Sequence, residues 1–98
     1  MARPTKLQAP VVDAWLSSHL GWAREADASG RDALVRTFKT ADFGASLAFA
    51  VRIGVLAEKR DHHPDILVSW GKARVLWTTH DAGGITELDL DLAEACDE

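Results

Sequence analysis

Ninety-eight residues, 47% hydrophobic and 27% charged, suffice for one domain with a single core, spanning 1–98, and exclude disordered, collagen-like and coiled-coil classes. No apolar run approaches the roughly 18 residues of a membrane span, no secretory signal is expected at the start, and one cysteine, Cys96, points to a reducing, cytoplasmic setting. The net charge of −4 is uneven: residues 1–80 hold all 11 Lys and Arg against eight acids, and residues 81–98 hold seven acids and no base, so no basic stripe marks a nucleic-acid reader.

Residues 1–9 read as a polar arm. From Pro10 to His19, Val11, Val12, Ala14, Trp15 and Leu16 follow a helical spacing, with Pro10 suited to the first turn and Gly21 to the exit. Trp22 to Ala26 and Ala33 to Lys39 are expected strands around the turn residues Ala28-Ser29-Gly30, an antiparallel hairpin. The longest helix is expected from Thr40, as N-cap, to Lys59, with Asp42 in its first turn at the positive end of the dipole. Its apolar residues, from Phe43 through Leu47 and Val51 to Ala57, sweep well over half the circumference. One sheet requires an arc of only about 100° or somewhat more, and the excess suggests a second buried surface such as another subunit.

Asp61-His62-His63-Pro64-Asp65 interrupts the helical pattern as a loop. Ile66 to Trp70 and Arg74 to His80 are expected strands on either side of Gly71-Lys72, Asp81 to Gly84 a turn, and Thr86 the start of a final helix carrying Leu88, Leu90, Leu92 and Ala95. The order α-β-β-α-β-β-α is most simply met by an α+β fold, a four-stranded antiparallel sheet with three helices packed on one face.

Three of the four histidines fall between positions 62 and 80, each beside a chain reversal. Histidine titrates near neutrality and serves naturally as proton donor or acceptor. Glu58 precedes His62 by four residues, so a helix persisting that far places the two on one face, where the carboxylate favours imidazolium. Adjacent side chains in an extended segment point apart, giving His62 and His63 different roles. His80 is expected to share a strand face with Arg74, Leu76 and Thr78, with Asp89 of the last helix able to approach it. Zinc is chemically possible for three histidines and a carboxylate, but the adjacent His-His pair lacks helical metal-site spacing and there is no Cys pair. Trp15, Trp22, Trp70 and Trp77 are expected in the core or as pocket walls.

The stretch Glu58-Lys59-Arg60-Asp61-His62-His63-Pro64 resembles the signature of the pterin-4a-carbinolamine dehydratases. The likeness continues with Trp70 six residues beyond Pro64, His80 ten beyond that and Asp89 nine further on, and it covers Leu7 to the C-terminus. Gly30-Arg31-Asp32 and the Phe38 to Phe43 stretch also resemble the family's hairpin and helix entry. The resemblance implies dehydration of 4a-hydroxytetrahydropterin to quinonoid dihydropterin without metal or organic cofactor, a recycling step after aromatic amino acid hydroxylation. By that resemblance His62 and His80 form the acid–base pair, His63 binds the pterin, Glu58 orients His62, and Asp89 and Trp70 support the substrate site. It also implies a homodimer or homotetramer, and some relatives act as non-enzymatic interaction or assembly factors. Ile66 and Leu88 depart from the aromatic residue and the arginine often found at those positions.

Overall fold

The computed structural model describes residues 5–97, so positions 1–4 of the expected N-terminal arm lie outside the described residues. Helix α1 spans Ala9–Ser18, and β1 (Ala23–Ala26) and β2 (Asp32–Lys39) form the first hairpin. Helix α2 (Phe43–Lys59), the hairpin of β3 (Asp65–Ser69) and β4 (Lys72–Trp77), and helix α3 (Glu87–Cys96) complete the expected order. Leu7, inside the expected arm, is tied down: its N–H donates to the Ile85 carbonyl at 2.8 Å.

All strand pairs are antiparallel, in the spatial order β1-β2-β4-β3. The period-two alternation of a strand divides β2 and β4 between two faces. Leu34, Val75 and Trp77 point to the helix side and are fully buried with Val12 of α1, Ile53 and Ala57 of α2, and Leu92 and Ala93 of α3. Each large apolar side chain so removed from water contributes about 1.5–3 kcal/mol, which makes this face the main source of stability. The other face carries only a small cluster of Ala33, Val35 and Leu76. Three helices on one face of the sheet is therefore the observed architecture.

The ends of α2 decide where the polar residues go. Its N-cap is Asp42 and not Thr40: Asp42 is extended at φ −164° and its Oδ1 accepts the Ala45 N–H at 2.8 Å. Thr40 hydrogen-bonds instead to the Asp42 carbonyl and the Ser46 hydroxyl, bracing the cap from outside. At the other end Asp61 adopts φ +48°, the His62 N–H reaches back to the Ala57 carbonyl at 3.2 Å, and the Asp61 N–H reaches the Glu58 carbonyl at 3.2 Å. This is a Schellman motif with aspartate where glycine is usual. It stops the helix at Lys59 and swings His62 off the helical path.

Strand β4 ends at Trp77, three residues before the expected end. Thr79 forms an isolated bridge with Gly84, and His80 lies in a 3₁₀ turn, His80–Ala82, closed by Gly83 at φ +78°. The Thr79 carbonyl gathers the N–H groups of Ala82, Gly83 and Gly84, which holds this turn against the sheet.

Helix α2 buries Ser46, Ile53 and Ala57, while Phe43, Leu47, Val51 and Val55 remain about half exposed. Those four recur every fourth residue, so they form one apolar line along the solvent side of the helix. His19, for which the sequence offers no role, stacks on Trp15 with ring centroids 4.0 Å apart and places Nδ1 2.7 Å from the Trp15 carbonyl, a contact that closes α1.

Candidate functional site

The open end of the β3–β4 hairpin brings together two segments distant in sequence, the exit of α2 and the turn after β4. Between them lies a cleft of about 290 Å³ lined by Asp61, His62 and His63 on one side and by Thr78, Thr79, His80 and Asp81 on the other.

His62 is the most enclosed of its histidines. Its ring lies parallel to the Trp77 indole, 10° apart in plane with centroids 5.9 Å apart, and its side chain is 11% exposed. Nε2 stands 2.6 Å from Oδ1 of Asp89, a residue with no solvent exposure. The other oxygen of Asp89 accepts the Thr79 hydroxyl at 2.7 Å and the Thr86 N–H at 2.9 Å. The Thr79 and Thr86 hydroxyls are themselves 2.9 Å apart. Each of these partners is able to donate to an Asp89 carboxylate oxygen.

Asp89 owes its place to the local folding of α3. Thr86 and Asp89 form a reciprocal capping box, so the carboxylate that satisfies the first turn of the helix is the one that grips His62. The Thr-x-x-acid pattern of Thr86-Glu87-Leu88-Asp89 is a sequence signal for that box. No comparable signal singles out Thr79.

The expected Glu58–His62 contact is not formed. Glu58 Oε1 lies 2.6 Å from Nε2 of His63, and both side chains are largely exposed, at 79% and 58%. The reversal at Asp61 is the cause: it removes His62 from the helical face of Glu58 and puts His63 there. An exposed pair of this kind contributes at most about 1 kcal/mol, whereas the buried His62–Asp89 pair is braced by the Thr79 hydroxyl and the Thr86 N–H.

His80 reaches the cleft from the 3₁₀ turn and so shares no strand face with Arg74 and Leu76. Its ring nitrogens lie 3.4 and 3.5 Å from Nη2 of Arg31. Asp89 bonds His62 and not His80. Trp70 stands apart: it occupies the β3–β4 turn beside Gly71 at φ +76°, is 73% exposed, and is separated from the cleft by the length of β3, roughly 15 Å. It is neither core nor a wall of this cleft, whereas Trp22 and Trp77 are buried. Ile66 and Leu88 pack against the main core and do not line the cleft.

Among the described residues, no three His, Cys, Asp or Glu side chains gather as a metal ion requires. No helix among them is long and apolar enough to cross a membrane. Cys96, the last residue of α3, is buried, and burial pushes its thiol up to about 11.

This geometry defines an α+β sandwich in which three of the four histidines converge at one hairpin end, two of them on carboxylates. The chain belongs to the pterin 4 alpha carbinolamine dehydratase family, whose match spans residues 5–98. A Chloroflexus aggregans protein bearing the name of a pterin-4-alpha-carbinolamine dehydratase is 41% identical over 90 residues, covering 92% of this chain and 96% of its own. A Roseiflexus protein of the same name is 38% identical over 94 residues, covering 96% of each. Among solved structures, a transcriptional coactivator/pterin dehydratase from Brucella melitensis superposes with a TM-score of 0.82 at 31% identity, over 95% of this chain and 96% of that one. A pterin dehydratase-like protein identified as a RuBisCO assembly factor in the alpha-carboxysome shares the fold, with a TM-score of 0.63 at 19% identity over 81% and 88% of the two chains.

Proposed function

We propose that the protein dehydrates 4a-hydroxytetrahydropterin to quinonoid dihydropterin by histidine acid–base catalysis, in the recycling of tetrahydropterin after aromatic amino acid hydroxylation. The observation that carries the reading is the convergence of His62, His63 and His80 on one cleft, with His62 held from behind by the buried carboxylate of Asp89. Loss of water from C4a needs a proton delivered to the hydroxyl as the C–O bond breaks, and removal of the N5 proton so that its electrons form the C4a=N5 double bond. Two histidines on opposite walls of a cleft meet that demand, each positioned group contributing about 10²–10⁴ in rate.

In this reading His62 and His80 are the acid–base pair, Asp89 orients His62, and His63, steadied by Glu58, contacts the pterin. The chemistry requires no metal or organic cofactor. The exposed line of Phe43, Leu47, Val51 and Val55 on α2 supports association into a homodimer or homotetramer, because a monomer seldom leaves such a stripe uncovered. A cytoplasmic setting follows from the pterin substrate together with the single, buried cysteine.

The test is the stopped-flow decay of 4a-hydroxytetrahydropterin against a protein-free blank. Acceleration by the wild type, and its loss in a folded His62→Ala, His80→Ala double variant, is the expected result. Equal decay with and without micromolar protein would sink the proposal. The same apolar stripe favours one second reading, a non-enzymatic interaction or assembly factor, and in that case the wild type gives no acceleration while the stripe binds a different protein.

A further inference from the structure

Trp77 belongs to the cleft's surroundings but to none of the steps above. It closes β4 on the helix side of the sheet, opposite Leu34 of β2, and its side chain is fully buried. Its Nε1–H finds no hydrogen-bond partner among the described residues. The Cys96 sulfur that the indole approaches is a weak acceptor and closes no bond. A buried donor left without a bond lowers stability, and an all-carbon side chain at this position would avoid that penalty. What the indole adds in exchange is a broad flat face, and that face lies parallel to the His62 ring.

The two planes differ by 10° with centroids 5.9 Å apart, an offset-parallel arrangement that aromatic rings favour. Asp89 holds the same imidazole by its edge, through the 2.6 Å contact at Nε2. A hydrogen bond at one ring atom leaves the ring able to pivot about that bond. A parallel wall opposes the pivot, so the two neighbours constrain different motions of one side chain. Exposure follows the same division. The His62 side chain is 11% exposed, whereas that of His63, with a carboxylate but no stacked ring among the described residues, is 58% exposed. Trp77 itself lies outside the cleft, whose lining on β4's side begins at Thr78, so its indole reaches the cleft by way of His62.

We propose that Trp77 is a positioning residue, whose indole sets the plane of the His62 ring while Asp89 sets its edge. The inference rests on the dehydratase reading for its effect on rate. An acid–base group acts only when its ring nitrogen comes within hydrogen-bond reach, about 2.6–3.2 Å, of the atom that exchanges the proton. A ring that pivots meets that tolerance for only part of the time, and the parallel indole raises this fraction. Strand β4 is a firm support for the task, because it lies between β2 and β3 and is paired on both sides.

Trp77→Phe, which keeps a flat ring, and Trp77→Met, which keeps bulk without one, test this by kinetics and by NMR. For folded Trp77→Met the expected result is a kcat lower by roughly tenfold with KM within about threefold of wild type, while Trp77→Phe keeps most of kcat. In a His62→Ala background Trp77→Met is expected to lower kcat no further, a coupling that a merely structural role would not produce. The second readout is the NMR relaxation of the ¹³C-labelled histidine rings in the substrate-free protein. The His62 ring is expected to be more ordered than that of His63 in wild type, to loosen in Trp77→Met and to stay ordered in Trp77→Phe. An unchanged kcat in folded Trp77→Met, or an equal loss with His62 already removed, would overturn the inference. So would equal order of the His62 and His63 rings in wild type, a result that needs no variant to fold. If the wild type fails to accelerate dehydration, the dehydratase reading fails instead, and the ring order still decides whether Trp77 holds His62.

Discussion

Asp89 serves two elements at once: Oδ1 lies 2.6 Å from His62 Nε2, and Oδ2 accepts the Thr86 N–H that opens α3. A helix cap and a histidine orientation thus depend on one fully buried carboxylate. Its removal affects both, and the two effects are separable. Asp89→Asn is expected to lower dehydration by at least 10², because the histidine loses its anionic partner, and to cost about 2 kcal/mol in urea unfolding. Thr86→Ala, which weakens the cap but leaves the His62 pair, is expected to cost about 1 kcal/mol with less than a tenfold change in rate. Equal rate losses in the two variants would mean that Asp89 acts only through the fold of α3.

Glu58 supplies a contrasting case. Its pair with His63 is exposed, so Glu58→Gln is expected to leave stability within about 0.5 kcal/mol of wild type. Its effect on rate is expected to be far smaller than that of Asp89→Asn. A loss matching Asp89→Asn in steady-state turnover would show that the exposed Glu58–His63 pair matters to the reaction as much as the buried one.

Cys96 sets a pH limit on the fold. Its folded-state pKa of about 11 exceeds the roughly 8.5 of an unfolded thiol, so the unfolded chain releases the proton first. The contribution is complete below pH 8.5 and is lost as pH rises toward 11, at up to about 1.4 kcal/mol per pH unit. Denaturant midpoints measured between pH 8 and 11 should fall more steeply for wild type than for Cys96→Ala. A soluble thiol reagent should label Cys96 only at the rate of unfolding, and prompt labelling of native protein would contradict its burial.

The line of Phe43, Leu47, Val51 and Val55 on α2 predicts an association defect. Val51 is 59% exposed and buries little within its own chain, so Val51→Glu should keep the helical circular dichroism of wild type. Sedimentation velocity is expected to show a shift toward monomer, since the new charge must be desolvated in any interface formed there. A variant that sediments as wild type does would place the contact between copies on another surface.

Local chemistry made much of this molecule legible in its sequence. Periods of 3.6 and 2 marked the helices and strands, glycines marked the turns, and the α-β-β-α-β-β-α order left a sheet with one covered face as the simplest packing. The cluster from Glu58 to Pro64, together with His80 and Asp89, named the family and most of the residues around the cleft. Chain spacing could not decide which carboxylate holds which histidine. The i, i+4 rule joined Glu58 to His62, but the left-handed turn at Asp61, a conformation normally announced by glycine, rotated His63 into that place. His62 was then free to meet Asp89, 27 residues away, at a point set by the docking of α3 on the sheet. Trp70 shows the same limit, since its spacing matched the family while the hairpin carried it to the far end of β3. Helices and strands follow from neighbours in the chain, so the sequence determined them. The partners of His62 and His80 come from segments 27 and 49 residues distant, and only the packing of α3 and of the first hairpin against β4 decided them.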